Sequence, residues 1–180
     1  MRTATIVLAA YGLLLILGSV WRFLPLGPLA DAVPDLAAVT AAYLGLTARR
    51  GIAAAVAGAV VIGYLADLLS GAPPGLAALV CGSVCILGHL VHRRILVRGW
   101  AVTLGFSGFT GAVASLLVIA VRTLFSAPLA PMSTELLHAF STGVATALIG
   151  PVILRLLRRI DAAFARTHRE RDHALEGIAP

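Results

Sequence analysis

The run Gly63-Tyr64-Leu65-Ala66-Asp67-Leu68-Leu69-Ser70-Gly71-Ala72-Pro73-Pro74-Gly75 sets one carboxylate near the end of an apolar segment, breaks the chain with Gly and Pro, and then starts a second apolar segment. An acid inside a lipid-facing helix is costly, so it turns to protein or water and carries a role. A lone Asp there could relay a proton, join an ion pair or cap a helix start. On a helix, Ala55, Ala59, Gly63 and Asp67 recur every four residues and share one face. Small residues at that spacing let a neighbouring helix come close. With the helix starting at Gly51, Asp67 lies roughly 24 Å along a crossing of about 30 Å, near a boundary rather than the midplane. That depth argues against a relay. The expected role is structural: Asp67 caps the turn to the next segment, or pairs with Arg122 or His138, which fall at similar depth.

The other reactive side chains form no constellation. Cys81 and Cys85 stand four apart in one apolar run, a spacing that fits neither a redox motif nor a zinc site, and they read as small packing residues. Cys85 and His89 could share a metal only with a third ligand, which the neighbouring runs do not supply. Ser107, Gly111 and Ser115, and likewise Gly143, Ala147 and Pro151, form small-residue faces suited to packing. No nucleophile–base pair, phosphate loop or dinucleotide fingerprint occurs. An enzyme, a metal and a cofactor are therefore not expected.

The elements that would hold Asp67 follow from hydropathy. The chain has 180 residues, 59% hydrophobic and 12% charged, with mean hydropathy +0.97. Soluble domains carry about 25% charged residues, so the surrounding solvent is read as lipid. The expectation is an all-α polytopic membrane protein with six transmembrane helices over Thr3–Trp21, Leu36–Ala48, Gly51–Ser70, Gly75–Val91, Gly99–Val121 and Leu136–Leu154. The second segment is short for a span, and Pro151 should kink the sixth. All 14 basic residues are Arg, and Lys, Asn and Gln are absent. With the N-terminus inside, 12 Arg fall on the cytoplasmic side, and only Arg22 and Arg122 fall outside. This is a positive-inside pattern with both termini in. The net charge of +6 is then explained by topology and anionic lipid rather than by nucleic acid.

Between the fifth and sixth segments, Ser133 or Thr134 is expected to cap the last helix, with Glu135 in its first turn. The segment 22–35, with Pro25, Pro28 and Pro34, is the outer loop expected to meet a partner. Residues 1–157 form the membrane domain. Residues 158–180 form a basic amphipathic tail, and a surface helix leading into it from Arg155, with Arg158, Arg159 and Arg166, meets anionic lipid.

The chain resembles the rod shape-determining protein MreD family. The likeness rests on Asp67-Leu68-Leu69-Ser70-Gly71-Ala72-Pro73-Pro74-Gly75 followed by Leu76–Leu79, on the length and six-span outline, and on the final span ending Arg155-Leu156-Leu157-Arg158-Arg159. Family members often have a single proline in the turn, where this chain has Pro73-Pro74. The resemblance implies a fold similar to the substrate-binding subunit of energy-coupling-factor vitamin transporters. It also implies a non-enzymatic scaffold of the cell-wall elongation complex. Its partners would be MreC, the glycosyltransferase RodA with its transpeptidase, and, through MreC, the MreB filament. Asp67, Ser70, Gly71 and Gly75 in the turn, with Ala55, Ala59 and Gly63 on the face below, are the structural or partner-contact residues. The small face fits a homodimer as well as packing within one bundle. Two other functions are weighed against the scaffold. A vitamin-transporter subunit needs an outward pocket lined by polar or aromatic groups, and the missing amides and 6% aromatic content count against it. An ion carrier would use Asp67.

Overall fold

A computed structural model describes residues 2–23, 33–48, 51–92, 99–125 and 130–176. Among the described residues the regular structure is all helix: α1 (Arg2–Phe23), α2 (Leu36–Leu46), α3 (Ile52–Ser70), α4 (Leu76–His92), α5 (Trp100–Leu124) and α6 (Met132–Glu176). Four of these, α1, α3, α5 and α6, are long and apolar enough to cross a membrane. The 11 residues of α2 and the 17 of α4 are apolar but shorter.

The helices form a ring around a centre. α3 packs on α4, α4 on α5, α5 on α6, α6 on α1 and α1 on α3, while α2 touches all five. Sequence explains why α2 takes the axis. Its residues are apolar or small on every side, so it has no face to give to solvent, and every residue from Leu36 to Leu46 is buried. Its two polar side chains are satisfied internally. The Thr40 hydroxyl donates to the Leu36 carbonyl at 2.8 Å, and the Tyr43 hydroxyl donates to Asp161 Oδ2 at 3.2 Å, tying α2 to α6.

Glycine sets how closely the helices approach. A Cβ at Gly45 would strike the Cys85 carbonyl, and one at Gly88 would lie 2.9 Å from the Ala42 carbonyl, so α2 and α4 meet backbone to backbone. The α5–α6 hairpin uses the same device: Gly111 faces Thr146, Gly150 faces Ser107, and Gly108 faces Ala147. The expected small-residue faces of these helices are thus spent inside one bundle. Large apolar side chains on the outside, among them Phe109, Leu137, Phe140 and Leu148, are 60–69% exposed, as lipid-facing residues are.

Two local expectations are corrected. Ser133 and Thr134 lie inside α6 rather than at its cap, because the helix already starts at Met132, where the Thr134 and Glu135 amides bond the Pro131 carbonyl. Nor is the arginine-rich segment a separate surface helix, since α6 continues unbroken through Pro151 and past Leu157 to Glu176. A proline whose missing amide is tolerated within a packed bundle need not end a helix.

Candidate functional site

The Asp67 turn is built from conformational necessity. α3 ends at Gly71, in the left-handed conformation at φ 67°, and the chain re-enters a helix through Gly75 at φ 100°. Side chains other than glycine's are strained at both positions. Gly75 then occupies the N-cap position of α4, its carbonyl accepting the Leu79 amide at 3.0 Å. A glycine N-cap has no side chain with which to accept the first free amides. Asp67 supplies that acceptor from one turn back on α3. Its Oδ2 accepts the Gly75 amide at 2.9 Å, its Oδ1 the Ala77 amide at 2.9 Å, and Oδ2 also lies 3.4 Å from the Ala78 amide. The carboxylate is 1% exposed and sits where the α4 dipole favours negative charge. Ser70 closes the turn by donating to the Asp67 carbonyl at 3.3 Å.

The face below Asp67 supports this clamp. Ala55, Ala59 and Gly63 are all buried. A Cβ at Gly63 would come within 2.7 Å of Ala78 Cα, so α4 starts against the α3 backbone itself. This face is occupied by the chain's own helices, which leaves little of it for a second copy.

Arg122 lies beside Glu135, 3.6 Å away, linking the end of α5 to the start of α6. Glu135 also accepts the Ala130 amide at 3.2 Å. Of the tail arginines, Arg155 stacks its guanidinium 4.9 Å over the Trp100 ring at the opposite end of the bundle. Arg158 and Arg159 are exposed on α6, and the side chain of Arg166 lies outside the described residues. So do the cluster Arg93, Arg94, Arg98 and most of the 22–35 segment. Cys81 and Cys85 are buried free thiols, and His89 Nδ1 is buried without a hydrogen-bond partner. Among the described residues no three acidic, His or Cys side chains form a metal-binding group.

A second aspartate completes the site, and sequence reasoning passed over it. Asp35 caps α2, its Oδ1 accepting the Ala38 amide at 2.8 Å, while its own amide donates to Thr146 Oγ1 at 3.0 Å. The signal was present: an Asp after Pro34 and immediately before an apolar helix is an N-cap pattern. Asp35 marks the floor of a cavity of about 570 Å³, to which all six helices contribute. The cavity follows from the length of α2. At 1.5 Å per residue α2 runs about 16 Å and α4 about 26 Å, so the axis lacks roughly 10 Å of helix at this end. Apolar side chains such as Leu14, Leu69, Val118 and Ile119 line the walls, while Arg122, Glu135 and His138 line the end nearest the 70–76 turn. Asp67 itself is not part of the lining.

The site thus has a sealed carboxylate that fixes a helix–turn–helix unit and, beside it, an open chamber with charges of both signs. No family model matches this chain, and no curated protein or solved structure is similar to it.

Proposed function

We propose that this protein is a non-enzymatic scaffold subunit of the cell-wall elongation complex in the bacterial inner membrane, of the MreD kind. It crosses the bilayer six times with both termini inside, and binds MreC and, with it, RodA and its transpeptidase. The observation that carries this reading is the Asp67 clamp. The motif on which the family resemblance rests has a physical reason for its acid and both its glycines: Gly71 and Gly75 for positive φ, and Asp67 for the cap that Gly75 cannot make. A carboxylate used up in this way suits a rigid platform rather than an ion carrier. The 70–76 turn and the cavity then face outward, and Trp100, Arg155 and the tail face the cytoplasm. Co-purification with the MreC protein of the same cell in detergent, together with loss of rod shape on deletion, is the expected result. Failure of both would sink the proposal.

A second reading is the substrate-binding subunit of a vitamin transporter, supported by a cavity with apolar walls and a few polar groups at one end, the kind of pocket such a subunit needs. Nanomolar stabilisation by a vitamin in a thermal-shift screen would replace the first reading with the second.

A further inference from the structure

Where α6 leaves the bundle, one side of it packs and the other carries arginine. Leu157 is buried against the other helices, and Asp161, one turn on, meets the buried Tyr43 hydroxyl at 3.2 Å. These two contacts fix how the helix is rotated about its axis. Arg155 and Arg159 then lie about 160° round the helix from Leu157, and Arg158 about 100°. All three are exposed. Leu148 and Val152, 67% and 58% exposed, continue the same face back into the apolar stretch of α6. The outer face of α6 is therefore an apolar stripe that ends in a basic cap.

The cap lies where an apolar crossing meets the headgroup layer. The last turns of α1, α3 and α5 line the chamber at the far end of the bundle, so these helices start at the end where the cap sits. Trp100, the first residue of α5, is 53% exposed there, and tryptophan suits that level of a bilayer. The Arg155 guanidinium stacks 4.9 Å over its ring. Stacking engages the face of the guanidinium and leaves its N–H edge to bond oxygen. Asp161, the nearest acid along α6, is turned to the opposite side by Tyr43. Residues 93–98, which lead into α5, comprise three Arg and three apolar residues, so their sequence brings no countercharge.

We infer that the outer face of α6 binds one acidic phospholipid of the inner leaflet. Its phosphate sits against Arg155 and Arg159, and an acyl chain runs along Val152 and Leu148. Arg158 adds to the positive potential beside them. This site differs from the lipid-lying surface helix expected from the sequence. Because α6 continues in one piece, Arg166 lies about 16 Å farther along the axis than Arg155, past a headgroup layer of about 5–8 Å. Arg166 then has no part in it. The word inner rests on the orientation proposed above, while the site itself does not depend on MreC.

Native mass spectrometry of the full chain tests this, with palmitoyl-oleoyl phosphatidylglycerol or phosphatidylethanolamine added in detergent. The expected result is one phosphatidylglycerol retained per chain, in preference to phosphatidylethanolamine. Each Arg at an anionic surface is worth about fivefold, so Arg155→Ala combined with Arg159→Ala should lower that retention by about tenfold or more. Both positions are exposed, and Arg159→Glu alone serves where the double variant does not fold. Trp100→Leu should cost a few-fold, because Arg155 loses its support. Arg166→Ala should change nothing. Equal retention of the two lipids by the wild type, or full retention by the arginine variants, would overturn the inference. A loss from Arg166→Ala as large as that of the double variant would do so too, restoring the surface helix. Release of the lipid by millimolar inorganic phosphate would show a site for free anions instead. None of these readouts involves MreC, so their failure is separate from failure of the scaffold reading.

Discussion

Asp67 and Asp35 do the same job by different routes. Each caps the start of a helix near the same end of the bundle. Asp35 is the N-cap residue of its own helix and bonds an amide three residues on, as the local geometry of a helix start dictates. Asp67 lies eight to eleven residues before the amides it accepts and reaches them across a turn. The local cap stabilises one helix. The remote cap fixes the angle and spacing between two, because α4 cannot leave α3 without exposing its first amides. The surroundings differ as well: Asp67 is sealed by protein, whereas Asp35 is half-buried at the floor of a chamber. A buried acid in an apolar bundle is therefore no sign of chemistry in itself. What its oxygens accept, and whether anything else can reach them, decides its role.

Breaking the remote cap should have the largest effect. Asp67→Ala leaves the half-buried Gly75 and Ala77 amides and the buried Ala78 amide without their acceptor, a loss of about 2–4 kcal/mol. It should appear as a lowered unfolding temperature in detergent and as weakened complex assembly. Gly63→Ala, which pushes a methyl into the α4 backbone, should cost about 1–3 kcal/mol in the same assay by forcing α3 and α4 apart. Asp35→Ala removes one local bond and should cost only about 1 kcal/mol. A loss as large as that of Asp67→Ala would erase the distinction between the two caps. The smallest effect is expected for Glu135→Gln, because the Arg122 side chain is 35% exposed and such pairs contribute under about 1 kcal/mol.

The helices were legible because apolar runs and their breaks are local properties. Arg2–Phe23 and Ile52–Ser70 fall within two residues of the spans read from hydropathy. The shortness of α2 was legible too, since Arg49 and the proline-rich segment bound it. Its consequence was not, because the empty axial volume exists only once five helices close around α2. Depth and the small residues below it point to a structural role for Asp67, with a cap, Arg122 and His138 as the alternatives for its partner. Only the path of the turn brings three amides to its oxygens. Asp35 was missed because the prolines around it made the whole segment read as loop. The continuity of α6 was missed for the opposite reason: the arginines after Leu154 signalled a membrane boundary, and a boundary of solvent was taken for a boundary of the helix.

The most direct test of the Asp67 clamp is hydrogen exchange at the amides of Gly75, Ala77 and Ala78, measured in the wild type and in Asp67→Ala. These are first-turn amides that no helical carbonyl can protect. The clamp predicts strong protection in the wild type and selective loss at these three sites in the variant, with α2 and the α5–α6 hairpin unchanged. Equal exchange at the three amides in both proteins would contradict it.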